Sequence, residues 1–109
     1  MLKVFYGKDG VKARQQAHFA IEAEMTIDKE FVRLEADKYQ AGQLLSMSSA
    51  ASLFSPSSVY LIDFPSASDV FLAEFMDNLE ALATSTHLFI VIEEEFLAAD
   101  KKKISKYAE

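Results

Sequence analysis

The chain has 109 residues, of which half are hydrophobic, 12% aromatic and 26% charged, a composition that describes one globular domain with a sizeable core and excludes a disordered tail or a two-domain enzyme. With 17 acidic against 11 basic residues the formal charge is −6, so there is no chain-wide cationic surface to hold a phosphate backbone, and nucleic acid is not expected as a direct partner. The absence of cysteine excludes a disulfide framework and a thiolate metal site, and two histidines, His18 and His87, are too few for a His-rich one.

The longest apolar runs, such as Val59 to Ile62 and Leu88 to Ile92, fall far short of the ~20 residues of a bilayer span. The start MLKVFYGKDG lacks a signal-peptide apolar region, so a soluble cytoplasmic domain without membrane contact is expected.

In chain order, Leu2 to Tyr6 reads as a short buried strand ending at Gly7, and Gly7 to Gly10 as a strand-to-helix loop. A helix opening at Asp9 or Gly10 and running to about Met25 has Val11, Arg14, Ala17, His18 and Ile21 on one face. Phe31, Val32 and Leu34 make a second strand after the polar Asp28-Lys29-Glu30 turn, and a second helix carries Ala41, Leu44, Leu45 and Met47. Residues 46–58, SMSSAASLFSPSS, form the most loop-like stretch of the chain, yet they hold Leu53 and Phe54 just before Pro56.

Val59 to Ile62 gives a third strand ending in Asp63. Ser66, with Asp69 three positions on, is expected to cap a helix that runs to about Ala83 and buries Leu72, Phe75 or Met76, Leu79 and Leu82. The almost wholly apolar fourth strand, His87 to Ile92, suits a central parallel strand covered on both faces, and Glu93 to Glu95 close it as a solvated loop. Asp100 can cap a last helix with Ile104 and Tyr107 as its apolar contacts. Its Lys101 to Lys103 and Lys106 read by default as a solubilising exposed face. The alternation of strand and helix argues for an α/β domain with a parallel sheet and right-handed crossovers.

Gly7-Lys8-Asp9-Gly10 stands where an open α/β fold places its phosphate-binding loop. A working loop needs G-x-x-x-x-G-K-[ST], so that backbone amides wrap the phosphates, the lysine reaches the outer ones and the hydroxyl holds magnesium. Here the lysine precedes the second glycine and no Ser or Thr follows, so a tight strand-to-helix turn is the better reading. Val59 to Asp63 has the form of a Walker B strand, but Phe64 stands where the water-activating Glu would be.

Asp63 could instead be the phospho-acceptor of a receiver-like signalling domain, which would also need an acidic pair at the end of the first strand. This sequence has Tyr6-Gly7 there. The histidines have no nucleophile or carboxylate in a catalytic spacing and are assigned no role. Ser52-Leu53-Phe54-Ser55 is the feature that a purely structural reading explains least: an aliphatic and an aromatic anchor stand outside any periodic element, where a partner's pocket could take them.

Taken together, Leu2 to Asp9, Phe31-Val32-Arg33-Leu34, Ser52-Leu53-Phe54 before the Val59 strand, and Asp100-Lys101-Lys102-Lys103 with Tyr107-Ala108 resemble the N-terminal domain of the delta subunit of bacterial DNA polymerase III, the clamp-loader family, over nearly the whole chain. The resemblance implies a three-layer, P-loop NTPase-like fold, the first domain of an AAA+ protein, with a parallel sheet, helices on both faces and a degenerate nucleotide site. Gly7, Lys8, Asp9 and Gly10 occupy the degenerate phosphate-loop position, and Asp63 the degenerate Walker B position.

It further implies that Leu53 and Phe54, flanked by Ser52, insert into a hydrophobic pocket of the β sliding clamp and help to open the ring for loading on primed DNA. No catalytic centre, metal or cofactor is implied, and ATP hydrolysis would belong to sister subunits. DNA would be met only indirectly or through the assembled complex.

Two departures stand out. Ser55-Pro56-Ser57-Ser58 replaces a basic or charged pair common in the family. The 109 residues also stop before the lid and collar domains through which the full subunit joins its partners, which makes the chain an excised fragment or a stand-alone relative.

Overall fold

The computed structural model describes residues 1–7, 10–26, 29–49 and 58–108. In chain order the elements are β1 (Leu2–Tyr6), α1 (Gly10–Glu24), β2 (Glu30–Glu35), α2 (Gln43–Ser49), β3 (Ser58–Asp63), α3 (Asp69–Asp77), α4 (Leu79–Thr84), β4 (Leu88–Glu93) and α5 (Ala98–Ile104). Short 3-10 turns cover Ala36–Lys38 and Pro65–Ala67. The four strands form one all-parallel sheet in the order β1-β4-β3-β2.

All residues of β3 and β4 are buried, which is why both read as near-continuous apolar runs: a parallel strand covered on two faces has no solvent side on which to place polar residues. Their side chains still alternate. Val59, Leu61, Leu88, Ile90 and Ile92 face Ala13, Ala17 and Ile21 of α1. Tyr60, Ile62, Phe89 and Val91 share the opposite core with Leu44 of α2, Phe71 and Phe75 of α3, Leu79 and Leu82 of α4, and Ile104 of α5. The result is three layers, α1 on one face of the sheet and the other four helices on the other.

The seat of α1 differs from expectation by a rotation of its face. The buried stripe is Ala13, Ala17 and Ile21, while Val11 is 69% and Phe19 73% exposed, and His18 is exposed as well. Small alanine side chains let the helix axis come close to the large residues of β3 and β4, so steric fit rather than the bulkiest apolar residues chose the face.

Four other expectations are corrected. Ser46 to Ser49 belong to α2, so the loop-like stretch begins later than its serine content suggested, and Ala41 lies in the preceding turn rather than in the helix. The helix after β3 is capped by Ser68, whose hydroxyl oxygen accepts from the Phe71 N–H at 3.3 Å, and not by Ser66. Phe64 takes a left-handed conformation and Pro65 then sets a 3-10 turn, which absorbs Ser66 before a helix can begin. That helix is two helices broken at Asn78, whose side-chain amide donates to the Glu74 carbonyl at 2.7 Å. Finally, α5 starts at Ala98 after Leu97, which places Asp100 inside the first turn and not at the cap.

Among the described residues no helix is long and apolar enough to cross a membrane.

The turn before α2 is tied to α3 by one carboxylate. The Tyr39 hydroxyl donates to Glu74, and the Gly42 N–H donates to both Glu74 oxygens, at 2.8 and 3.1 Å. Gly42 has φ +85°, where a side chain would be strained even though space is open around it. Tyr39 also packs on Phe71 with ring centroids 4.2 Å apart. Burial first, and then the bond to Glu74, push the Tyr39 hydroxyl up to about 12.

An unfolded tyrosine titrates near ~10, so the stabilisation from this group is complete below that pH and is lost as pH rises toward the folded value. Urea midpoints measured from pH 9 upward are therefore expected to fall more steeply for the wild type than for Tyr39→Phe. Parallel curves would contradict the assignment.

Candidate functional site

Because every strand points the same way, the sheet has two distinct ends. Gly7, Asp63 and Glu93 lie at the carboxyl ends of β1, β3 and β4, the crevice where open α/β sheets place their ligands. β3 begins at the other end, with Ser58.

At the carboxyl edge the structure brings together three residues from three elements. Asp63, only 6% exposed, accepts at Oδ1 from Arg14 Nη2 of α1 at 3.2 Å, and at Oδ2 from Arg33 of β2 through Nε at 2.9 Å and through Nη2. The Arg33 guanidinium also meets Glu35 at 3.5 Å. Its hydrogen bonds to Asp63, and then the charge of that carboxylate, hold Arg33 above the ordinary arginine value. Arg14 lies over the ring of Phe64, 5.6 Å from its centroid, which places the second guanidinium from the other side.

Of the residues at the degenerate phosphate-loop position, Gly7 donates its N–H to the Glu93 carbonyl at 3.2 Å, and Gly10 opens α1. Lys8 and Asp9 lie outside the described residues. A Cβ at Gly7 would meet nothing within 4 Å and its φ is not positive, so neither close approach nor a left-handed turn calls for glycine there. The chemistry left at this edge is that of an ion-pair hub. Both oxygens of Asp63 are engaged, Oδ1 by one guanidinium and Oδ2 by the other, so a magnesium ion or a phosphoryl group would compete with two arginines for this carboxylate. Among the described residues no group of three or more His or carboxylate side chains could hold a metal ion.

Glu93 corrects the reading of Glu93 to Glu95 as a uniformly solvated run. Glu94 and Glu95 are exposed, but Glu93 is 2% exposed and ends β4. Its Oε2 accepts from the Ser66 N–H at 3.0 Å and its Oε1 from the Glu94 N–H at 2.9 Å, so the carboxylate holds the two backbone turns that follow β3 and β4.

Sequence reasoning missed the partners of Asp63 because Arg14 and Arg33 lie 49 and 30 residues away. The available signal was an arginine on a short strand otherwise flanked by Glu30 and Glu35. His87, assigned no role from sequence, is 2% exposed and accepts at Nδ1 from the Ser58 N–H at 2.9 Å. Ser52, Leu53 and Phe54, the candidate partner-binding residues, lie outside the described residues.

No protein-family model matches the chain, and a search of curated proteins finds no significant match.

The hub predicts an order of sensitivities. Arg33 donates from two nitrogens and Arg14 from one, so Arg33→Gln is expected to lower the urea midpoint more than Arg14→Gln. Asp63→Asn should cost about 1–3 kcal/mol, less than a fully buried pair would, because both guanidinium groups can turn to water. Equal midpoints for the two arginine variants would show that the second Arg33 donor to Oδ2 carries no weight.

Proposed function

We propose that this domain is a non-catalytic, clamp-binding module of the replicative clamp-loader type, with Leu53 and Phe54 as its anchors and a β sliding clamp as its partner. The observation that carries the reading is the condition of Asp63. A nucleotide hydrolase and a phospho-acceptor receiver both depend on that strand-end carboxylate being open to a magnesium ion or a phosphoryl group, and here two arginines occupy it. That arrangement favours an ion-pair role for Asp63, and the anchor pair before β3 is the feature to which the resemblance attaches a function.

The sheet order supports the same reading. Doubly wound receiver-type sheets run 2-1-3-4-5, with the first strand beside the third, whereas here β4 lies between β1 and β3. The formal charge of −6 suits contact with a protein rather than direct contact with DNA.

On this reading the mechanism is mechanical. Leucine and phenylalanine anchors contribute ~1.5–3 kcal/mol each on full burial, before the costs of association. A higher affinity for the opened ring than for the closed one would supply the work of opening, as any shift between two conformations requires.

The test is binding of the domain to purified β sliding clamp, wild type beside the Leu53→Ala/Phe54→Ala double variant, after circular dichroism shows that both are folded. Saturable binding by the wild type, weakened by ~3–6 kcal/mol in the double variant, is the expected result. Folded wild type that binds no clamp would sink the proposal. A rise in melting temperature with magnesium and a phosphoryl mimic, lost in Asp63→Asn, would favour the receiver alternative instead.

A further inference from the structure

Helix α1 turns a second, outward stripe away from the sheet. Steps of ~100° per residue place Val11, Lys12, Gln15, His18, Phe19 and Glu22 within a stripe ~120° wide, opposite the buried Ala13, Ala17 and Ile21, and all six are exposed. Apolar residues scattered singly on a surface are ordinary, but Val11 and Phe19 stand about two turns apart on this one stripe and border open clefts. One cleft, of about 480 Å³, lies between the first half of α1 and the turn after β3 and is lined by Val11, Arg14, Gln15, His18 and Phe64. The next, of about 410 Å³, is lined by Gln15, His18, Phe19 and Glu22.

The charges of α1 run against its own dipole. Its first turn holds no carboxylate and its last turn no cation. Lys12 and Arg14 stand instead in the amino-terminal half, and Glu22 and Glu24 at the carboxyl-terminal end, where the helix dipole disfavours each. Arg14 is turned to Asp63, and Glu24 to Lys3 and Lys29 at 4.0 Å, so Lys12 and Glu22 are the charges that stand on the stripe. The stripe is thus cationic toward one end and anionic toward the other, with one large apolar residue near each. Such a surface is complementary to itself in the antiparallel orientation. A parallel pair would set Lys12 against Lys12 and Glu22 against Glu22.

We propose that the outer face of α1 is an interface between two copies of this chain, packed antiparallel about a twofold axis at Gln15. In that register Phe19 of each copy lies level with Val11 of the other, and Glu22 lies about one turn from Lys12 of the other copy. The opposite ends of the two helix dipoles come side by side as well. Because the contact is isologous, each residue acts twice, and Phe19 supplies two aromatic anchors to one interface. A single helix pair buries little area, which places the dimer among weak, reversible ones. This inference does not rest on the clamp-binding reading.

The test is sedimentation equilibrium of the full chain from ~5 to ~500 μM, where a monomer–dimer equilibrium with a Kd of ~100 μM or tighter is expected. Phe19→Asp changes a residue that is 73% exposed, so it should match the wild type by circular dichroism and yet weaken association at least ~10-fold. Lys12→Glu and Glu22→Lys alone should each weaken it by about three- to tenfold, since each brings like charges together at both ends of the interface. Mixed in equal amounts, these two variants should associate with each other as the wild type does, because each charge then again meets its opposite.

A wild type that stays monomeric up to the highest concentration would overturn the proposal, and so would a dimer that Phe19→Asp leaves intact. If the mixed variants do not regain what each has lost alone, the antiparallel pairing is wrong.

Discussion

The structure turns on the burial of two adjacent parallel strands from both sides. β3 and β4 expose no residue, and helices close both faces over them, so within the strands there is no place for a polar side chain except at the two ends. The polar groups that the sequence does place there, Ser58 and Asp63 on β3 and His87 and Glu93 at the limits of β4, are all buried. Each must then find partners inside the fold, because a buried donor or acceptor left alone costs ~1–3 kcal/mol, a large share of a small domain's stability. Their partners come from other elements, and so the ends of the central strands become the points at which helices and loops are tied to the sheet.

At the carboxyl end this requirement determines what Asp63 can be. An aspartate ending a buried strand can hold a metal ion, accept a phosphoryl group or anchor an ion pair, and the residues around it decide among these. Arg14 reaches it from the helix layer and Arg33 from the edge strand, so the carboxylate links α1, β2 and β3 at one point. Both arginines are partly exposed while the aspartate is not, an arrangement in which the charges keep some contact with water and the pair escapes most of the desolvation penalty of a fully buried bridge. Glu93 does the corresponding work one strand away with neutral donors, the N–H groups of Ser66 and Glu94. At the edge that would serve as a ligand crevice in an open α/β sheet, Asp63 and Glu93 thus both have partners within the fold.

The strands were legible in the sequence because their signal is local: short runs rich in apolar residues, each closed by a Gly, Asp or Glu, put all four strands within a residue or two of their observed bounds. Helix ends were less legible, since Ser66 and Ser68 are equally good caps on paper. The choice was made by the left-handed Phe64 and by Pro65, whose turn occupies the first of them. The face of α1 was read only in part: Ala17 and Ile21 are buried as expected, but packing against Val59, Leu61, Leu88, Ile90 and Ile92 brought in Ala13 and left Val11 and His18 outside. The partners of Asp63 and His87 could not be read at all, being side-chain contacts across 29 to 49 residues that exist only once the sheet has assembled.

The same two-ended layout bears on how a partner could be engaged. Asp63 and Ser58 are the two ends of one six-residue strand, so the ion-pair hub and the contact of Ser58 with His87 stand ~17 Å apart, joined by a strand that is buried along its whole length. For a module that binds through two side chains a fixed support matters more than added contact area, because ordering a loose segment on binding consumes affinity that a pre-positioned one keeps. It also bears on leverage. A partner can be held in one of two shapes only to the extent that the binder prefers that shape, and a binder that yields as easily as its partner expresses little preference. On the proposed reading a base that does not yield is wanted at the amino edge of the sheet, and it is there that Ser85 bonds to α2, His87 bonds to β3 and the His87 ring packs on Tyr60.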